Sequence, residues 1–411
     1  LRRQYGAGAV VYARNVTDVD DKINAKAARE GVPIGEVTRR YEAAYLADMA
    51  ALNVSPPDIA PHVTDHIEAI VAQIGQIVDQ GCAYAAEGHV LFDVSSYPSY
   101  GALSGRNLDD MIAGARVEVA PYKKNPHDFV LWKPSKDGEP SWPSPWGDGR
   151  PGWHIECSAM IEETLGLPID IHGGGIDLVF PHHENEIAQG VCAHGHAHGE
   201  AAHDHYARYW MHNGFLTVDA EKMSKSIGNV LLLHDLVQSM PGEVVRWALL
   251  SAHYRQPLDW NQSLLKQSRR NLETISRAYQ RIKSDAIAPS GGKAVVSALS
   301  DDLNTPQAVS IIMTAAKEIL RTPKPKPDSV AELRAGIDLM GIDIESFLHW
   351  IDVRSDVTKA LETVVARRDK AKRARLWNDA DLLRGRLGRL WTNVQDTSEG
   401  PILSSMLNEV Q

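Results

Sequence analysis

Apolar residues recur at helical spacing over residues 36–51 and 65–80. Ahead of them, "LRRQYG" reads as the end of a helix stopped by glycine, and "GAVVYA" reads as a buried strand. A polar turn then runs into a helix, which Thr17 or Asp18 is placed to cap, with Asp20 and Asp21 suited to its first turn. From about residue 82 to 150 the texture changes to short strands among turn residues, as in "HVLFDVSSYPSYGALSG" and "DFVLWKPSKDGEPSWPSPWGDGRPG". This stretch reads as an insertion between two α/β halves. Beyond it, "GWHIECSAMIEETLG" predicts a helix, "PIDIHGGGIDLVF" a buried strand with a glycine-rich turn, and "PHHENEIAQGVCA" a helix. Such alternation predicts a parallel sheet. After about residue 230 the pattern is almost wholly helical, broken by "APSGG" at 288–292 and the Pro/Lys linker "TPKPKPDS" at 322–329. A strongly basic helix is expected from about residue 355.

Composition narrows the class. A chain of 411 residues suggests two to four domains at roughly 100–200 residues each. The 43% hydrophobic content is enough for substantial cores, and the net charge of −10 argues against a simple nucleic-acid coat protein while leaving room for a local basic face. Cys82, Cys157 and Cys192 are widely spaced and odd in number, so no disulfide framework is implied and a reducing cytoplasm is the expected compartment. No apolar run reaches about 18 residues, so neither a membrane span nor a signal peptide is expected. The chain opens at Leu1 on what reads as a helix end, so an N-terminal segment is expected to be missing.

The densest chemistry lies in "FPHHENEIAQ", residues 180–189. On a helix His182 and Glu186 are i and i+4 and share one face. Imidazole and carboxylate at that spacing make half a Zn²⁺ site, or else a buried histidine bonded to its glutamate. Cys157, one structural unit earlier, is either a third ligand or a small core hydrophobe. The histidine-rich run at 194–205 reads as a solvated loop. The tail carries Arg367, Arg368, Lys370, Lys372, Arg373 and Arg375, either a solvated charged face or a surface for nucleic-acid phosphates. Trp377 and Trp391 are either base-stacking or core residues.

"KMSKSIGN", Lys222–Asn229, resembles the signature of class I aminoacyl-tRNA synthetases. "NVTDVDDKI", "SWPSPWGDGRPGWHIECSAM", "DIHGGGIDLVFPHHENEIAQ", "WMHNGFLTVDAEKMSKSIGN" and "DDLNTPQA" follow in the order found in cysteinyl-tRNA synthetases, and the resemblance runs to about residue 400. It implies a Rossmann-like, parallel-sheet α/β catalytic domain (1–63 and 151–200) interrupted by a β-rich connective insertion (64–150). A KMSKS loop and stem-contact region (201–265), an all-α helical bundle (266–352) and a C-terminal anticodon-binding domain (353–411) would follow. The implied activity is ATP-dependent ligation of L-cysteine to tRNA(Cys) through cysteinyl-adenylate, by a cytoplasmic monomer using ATP with Mg²⁺.

The resemblance also implies roles residue by residue. Cys157, His182 and Glu186 match three ligands of one Zn²⁺ that reads the substrate cysteine. The fourth would be a cysteine shortly before the family's HIGH signature, in a segment ahead of Leu1. Thr17, Trp153 and His172 match the cysteine pocket, with His183 and Glu184 shaping the metal's surroundings. Asp177 matches the carboxylate that holds the ATP ribose, and Gly174 and Gly175 let backbone approach the nucleotide. Lys222 and Lys225 match the lysines that serve the phosphates. Zinc suits this task because an apolar pocket separates cysteine from serine poorly, whereas a soft metal prefers sulfur. No editing domain is then needed, and the insertion is too short for one. Two rival readings are the cysteine ligase of mycothiol biosynthesis, which shares the "GWH", "ECSA" and "FPHHE" patterns, and a non-catalytic synthetase paralogue that binds tRNA. "ENEIAQ" and the basic tail are of synthetase type.

Overall fold

Asp20, rather than Thr17 or Asp18, caps the first long helix. Its carboxylate accepts the Ile23 N–H at 2.6 Å, and helix α1 (Asp21–Glu30) runs to Gly31 at φ 68°. Asp18 is buried and turned the other way, accepting the Thr64 N–H at 3.0 Å. The apolar run "GAVVYA" also departs from expectation. Ala7–Ala9 is a 3-10 turn, Val11 and Tyr12 are exposed, and single parallel bridges join Ala13 to Ile59 and Val16 to His62. Isolated bridges give the segment neither a ladder nor a covered face, so it is extended but not the buried strand that its composition predicts.

The computed structural model describes residues 1–106, 120–196, 202–223, 227–283, 291–389, 392–397 and 400–405. It divides into two units, Leu1–Tyr45 with Pro56–Gly214, and Leu46–Ser55 with Phe215–Gln411. Helix α2 (Ile34–Ala51) follows α1.

In the first unit, helix α3 (Ile67–Asp79) buries Ile67, Ile70, Ile74 and Ile77, the stripe that its spacing dictates. Strands β1 (Ala83–Ala86), β2 (His89–Phe92), β3 (Phe129–Pro134) and β4 (Gly149–Pro151) form an antiparallel sheet in that order. Phe92, Leu131 and Trp132 from this sheet are fully buried against Ile155, Met160, Ile187 and Val191. Helix α4 (Trp153–Leu165) begins at Gly152, where a Cβ would stand 2.1 Å from the Val130 carbonyl oxygen. Only glycine lets the helix start this close to β3. Strand β5 (Ile169–Gly175) pairs in parallel with β6 (Ala207–Asn213), with His172 opposite Trp210 and Gly174 opposite His212. Helix α5 (Glu184–Ala193) lies between them in sequence and is buried along its whole length. The βαβ alternation read from the sequence is therefore present, in a small parallel sheet beside a larger antiparallel one.

In the second unit, β7 (Leu216–Val218) is flanked by antiparallel β8 (Glu221–Lys222) and parallel β9 (Leu258–Trp260). Helices then dominate: α6 (Leu233–Ser239), α7 (Gly242–Leu250), α8 (Gln262–Ile282), α9 (Lys293–Ser300), α10 (Thr305–Arg321) and α11 (Pro327–Leu339). Trp247, Leu272, Ile275, Ile312, Ile319, Leu333 and Phe347 make the core. A Cβ on Gly336 would stand 2.3 Å from the Ile312 side chain, so glycine lets α10 and α11 pack closely. Helices α12 (Ile344–Arg373) and α13 (Trp377–Arg389) and an antiparallel hairpin, β10 (Thr392–Thr397) with β11 (Gly400–Ser405), complete the unit. The basic helix thus starts at Ile344, about three turns of α-helix ahead of the expected point. Among the described residues no helix is long and apolar enough to cross a membrane.

Candidate metal and substrate site

Three elements of the first unit converge on Glu186. The first turns of α4 bring Trp153, His154 and Cys157; β5 brings His172; and a short π-type segment, Val179–His183, sets His182 and His183 ahead of α5. Ligand atoms of Cys157, His182 and Glu186 all lie within 4.8 Å of one another, and the same holds for His172, His183 and Glu186. The i, i+4 pair read from the sequence is close, with His182 Nε2 2.9 Å from Glu186 Oε1. His172 Nε2 is 3.2 Å from Glu186 Oε2, which also accepts the Tyr206 hydroxyl at 2.9 Å.

The electrostatics follow from burial. Glu186 is wholly buried, which by itself raises a carboxyl pKa, but the His172 and His182 imidazoles outweigh that and hold it well below the ordinary range. Burial, reinforced by Glu186, pushes the Cys157 thiol up. Burial also lowers His154 and His183 to about 3, so both are neutral. A second ring of contacts orients the first: His154 Nδ1 lies 2.7 Å from His182 Nδ1, His183 Nδ1 lies 2.8 Å from His212 Nε2, and Asn15 Nδ2 donates to Cys157 Sγ at 3.5 Å. Such outer partners fix imidazole orientation in metal sites.

Whether these residues suit a metal can be tested on their own atoms. Glu186 Oε1 and His172 Nε2 are buried, lie within ion-pairing range of their neighbours, and yet make no hydrogen bond. Buried polar atoms left in that state are costly unless a further partner satisfies them. Thiol sulfur, imidazole nitrogen and carboxylate oxygen are the donor types of zinc. The donor set fits a divalent ion of that kind.

Around the cluster, Trp153 lays a half-exposed ring 4.4 Å from that of His182. His172 meets Trp210 edge to face at 4.8 Å. Thr17 is half-buried in the same unit, and among the described residues no hydrogen bond ties it to the cluster. Asp177 is exposed just past the glycine-rich strand, folded so that a Cβ on Gly175 would meet its Oδ1 at 2.3 Å. A Cβ on Gly174 would stand 2.8 Å from the His183 ring, so the packing of the cluster itself requires glycine there. Glu184 faces away and accepts the Ser104 N–H at 3.0 Å.

In the second unit Lys222 ends β8 and is exposed, with its ammonium 5.9 Å from the Phe215 ring centre. Lys225 lies outside the described residues. In the tail Arg367, Lys370, Arg373 and Arg375 are exposed, but Arg368 is buried and does not belong to the basic face. Trp377 is 58% exposed; Trp391 lies outside the described side chains. The histidine-rich run is described in part: His194 pairs with Glu162 at 2.9 Å, and His196 stacks on His205 at 4.2 Å.

Sequence reasoning missed Asn15, His154, Tyr206 and His212. Each acts across a long stretch of chain and carries no local spacing signal. The one hint is Gly190, where a Cβ would stand 2.4 Å from the Tyr206 ring.

A fold of this kind, with a histidine-rich cluster beside a glycine-rich strand, is that of the class I tRNA synthetases. The family described as "tRNA synthetases class I (C) catalytic domain" matches residues 2–270, and the DALR domain matches residues 294–342. The methionyl-tRNA synthetase of Mycobacterium tuberculosis, solved with methionyl-adenylate, shares the fold at TM-score 0.51 and 15% identity, over 82% of this chain and 81% of that one. The cysteine–tRNA ligase of Phenylobacterium zucineum is 55% identical over 97% of this chain and 87% of its own length. That of Caulobacter vibrioides is 54% identical with the same coverage, 97% and 87%. The chain belongs to the cysteine–tRNA ligase family, a ligase family of class I synthetases.

Proposed function

We propose that this protein joins L-cysteine to tRNA(Cys) through a cysteinyl-adenylate, with Zn²⁺ held by Cys157, His182 and Glu186. The observation that carries this reading is the convergence of those three buried donors, with Glu186 Oε1 and the neighbouring His172 Nε2 left unsatisfied, in a chain of this family. When bound, zinc supplies a soft Lewis-acid position that favours a thiolate over a hydroxyl. Trp153 and His172 wall the cysteine side chain, and Thr17 lies on its approach. Asp177 accepts hydrogen bonds from the ATP ribose, while Gly174 and Gly175 admit the nucleotide backbone to van der Waals distance.

Activation is attack of the cysteine carboxylate on the α-phosphorus of ATP, with pyrophosphate leaving. A hydroxyl at the tRNA 3′ end then displaces AMP from the acyl carbon. Charge grows on the leaving oxygens in the first step, so Lys222 and Lys225 act on the transition state more than on bound ATP. The exposed basic face and Trp377 suit an RNA loop, through phosphate contact and base stacking. The test is ATP–pyrophosphate exchange with cysteine and with serine, followed by cysteine attachment to tRNA(Cys). Exchange driven equally by serine, or an absence of cysteine-charged tRNA, would overturn the reading.

A further inference from the structure

A strained turn leads into Lys222, and one carboxylate holds it. Thr217 pairs with Lys222 and Val218 with Glu221, so Asp219 and Ala220 alone make the turn between β7 and β8. Their φ values are 50° and 66°. Two positive φ angles define the turn that twisted hairpins prefer, and Asn-Gly is the pair that adopts it most readily. An alanine there crowds its Cβ against backbone, so something must hold it.

Asp259 is that holder. It lies on β9 opposite Thr217. Its Oδ1 accepts the Ala220 N–H at 2.6 Å and the Thr217 hydroxyl at 2.8 Å. Its Oδ2 accepts from Asn261 Nδ2 at 2.8 Å, and Asn261 Oδ1 in turn caps α8 through the Leu264 N–H at 2.9 Å. The Asp219 N–H donates to the Trp260 carbonyl at 3.2 Å. The turn is thereby tied to the start of a long, well-packed helix. On the far side, Asn229 Nδ2 donates to the Lys222 carbonyl at 3.3 Å. The buried Trp260 and Leu265 hold the same region in the core independently of Asp259, so removing the carboxylate loosens the turn without opening the core.

We propose that Asp259 is a positioning residue for the activation step: it holds the Asp219–Ala220 turn in its strained form and so fixes the direction in which the chain leaves β8 at Lys222. Asp259 touches no reacting atom. The inference rests on the reading that the lysines from Lys222 onward serve the phosphates.

The experiment compares Asp259→Ala, Asp259→Asn, Ala220→Gly and the Asp259→Ala/Ala220→Gly double variant in the full-length protein. Cysteine-dependent pyrophosphate exchange and amide hydrogen exchange over residues 216–222 are measured for each. Asp259→Ala should lower kcat about tenfold, with cysteine KM within about twofold, because small misplacement of a charge-stabilising group acts on the transition state. The Ala220 amide should lose protection. Asp259→Asn keeps the Oδ1 acceptor for the turn but sets an amide NH2 against Asn261 Nδ2, so its rate should fall between those of the parent and Asp259→Ala. The double variant should recover most of the loss, because glycine adopts the turn without a brace. An unchanged kcat in Asp259→Ala overturns the proposal. So does a loss that glycine fails to relieve and that tracks a fall in Tm, since that pattern is merely structural. If the parent protein shows no cysteine-dependent exchange, the functional reading fails, and amide protection at Ala220 still decides whether Asp259 holds the turn.

Discussion

The cluster around Glu186 and the hairpin leading into Lys222 handle charge in opposite ways. Glu186 has no solvent exposure, and its partners come from α4, β5, the π-type segment ahead of α5 and Tyr206 just ahead of β6. Lys222 stands in water at the end of a two-residue strand, in a hairpin with a two-residue turn. Desolvation strengthens every interaction that the cluster makes and penalises every one it lacks. The hairpin has little desolvation to exploit and relies on backbone geometry. On the proposed reading, the metal site gains from a rigid, dry enclosure, whereas a lysine that meets phosphates gains from reach. The two regions should accordingly fail differently when altered.

The largest effect is expected at the lysines. Lys225→Ala should lower kcat for activation by about 10²–10³-fold, the usual cost of one charge-stabilising contact, with little change in cysteine KM. Pyrophosphate exchange measures it, and a change confined to KM would mean uniform binding instead. On the buried side, Cys157→Ser should weaken zinc about 100-fold, comparable with the loss of a strong outer partner, and should erode the preference for cysteine over serine. Zinc content after dialysis, paired with the exchange ratio, decides it; undiminished zinc would remove Cys157 from the ligand set.

A smaller effect is expected at Gly190. Gly190→Ala places a methyl group against the Tyr206 ring, for a loss of about 1–3 kcal/mol by overpacking. It should also shift the Tyr206 hydroxyl from Glu186 and so weaken zinc. Thermal denaturation with and without added zinc would show both. If the stability loss comes without any change in metal affinity, Tyr206 is only filler.

The smallest effect belongs to an exposed pair in the second unit. Asp302 is held at about 2, below the ordinary 3.8, by hydrogen bonds from Arg255 and then Tyr254. Its contribution is therefore present above pH 3.8 and lost as pH falls through about 2. Asp302→Asn should flatten the decline of the urea midpoint over that window, slightly, because the pair is solvated. An unchanged slope would assign the acid loss to other carboxylates.

Much of this was legible in the sequence because it is local. The stripe Ile67, Ile70, Ile74 and Ile77 is periodic, and so is the His182–Glu186 pair. The order of α and β segments around "HGGGID" followed from texture alone. What stayed hidden depends on contacts distant in sequence. Asn15 reaches Cys157 from 142 residues away, and Tyr206 reaches Glu186 only because Gly190 leaves room. "GAVVYA" shows the converse, since an apolar run becomes a buried strand only where something covers it. The cap went to Asp20 because Asp18 was already engaged by Thr64. Arg368 counts as a charge in any tally of the tail, but it is buried.

The unsatisfied atoms of Glu186 and His172 also bear on how such a sequence drifts. Replacing a whole buried ionic cluster with well-packed apolar side chains is often neutral or stabilising, by about 1–4 kcal/mol. Selection for foldability alone would therefore erase His172, His182 and Glu186 together, while leaving neighbours such as Ile187 and Val191 in place. A descendant released from its catalytic duty should show that erosion first in this cluster, and its persistence in a lineage is a mark of continued use.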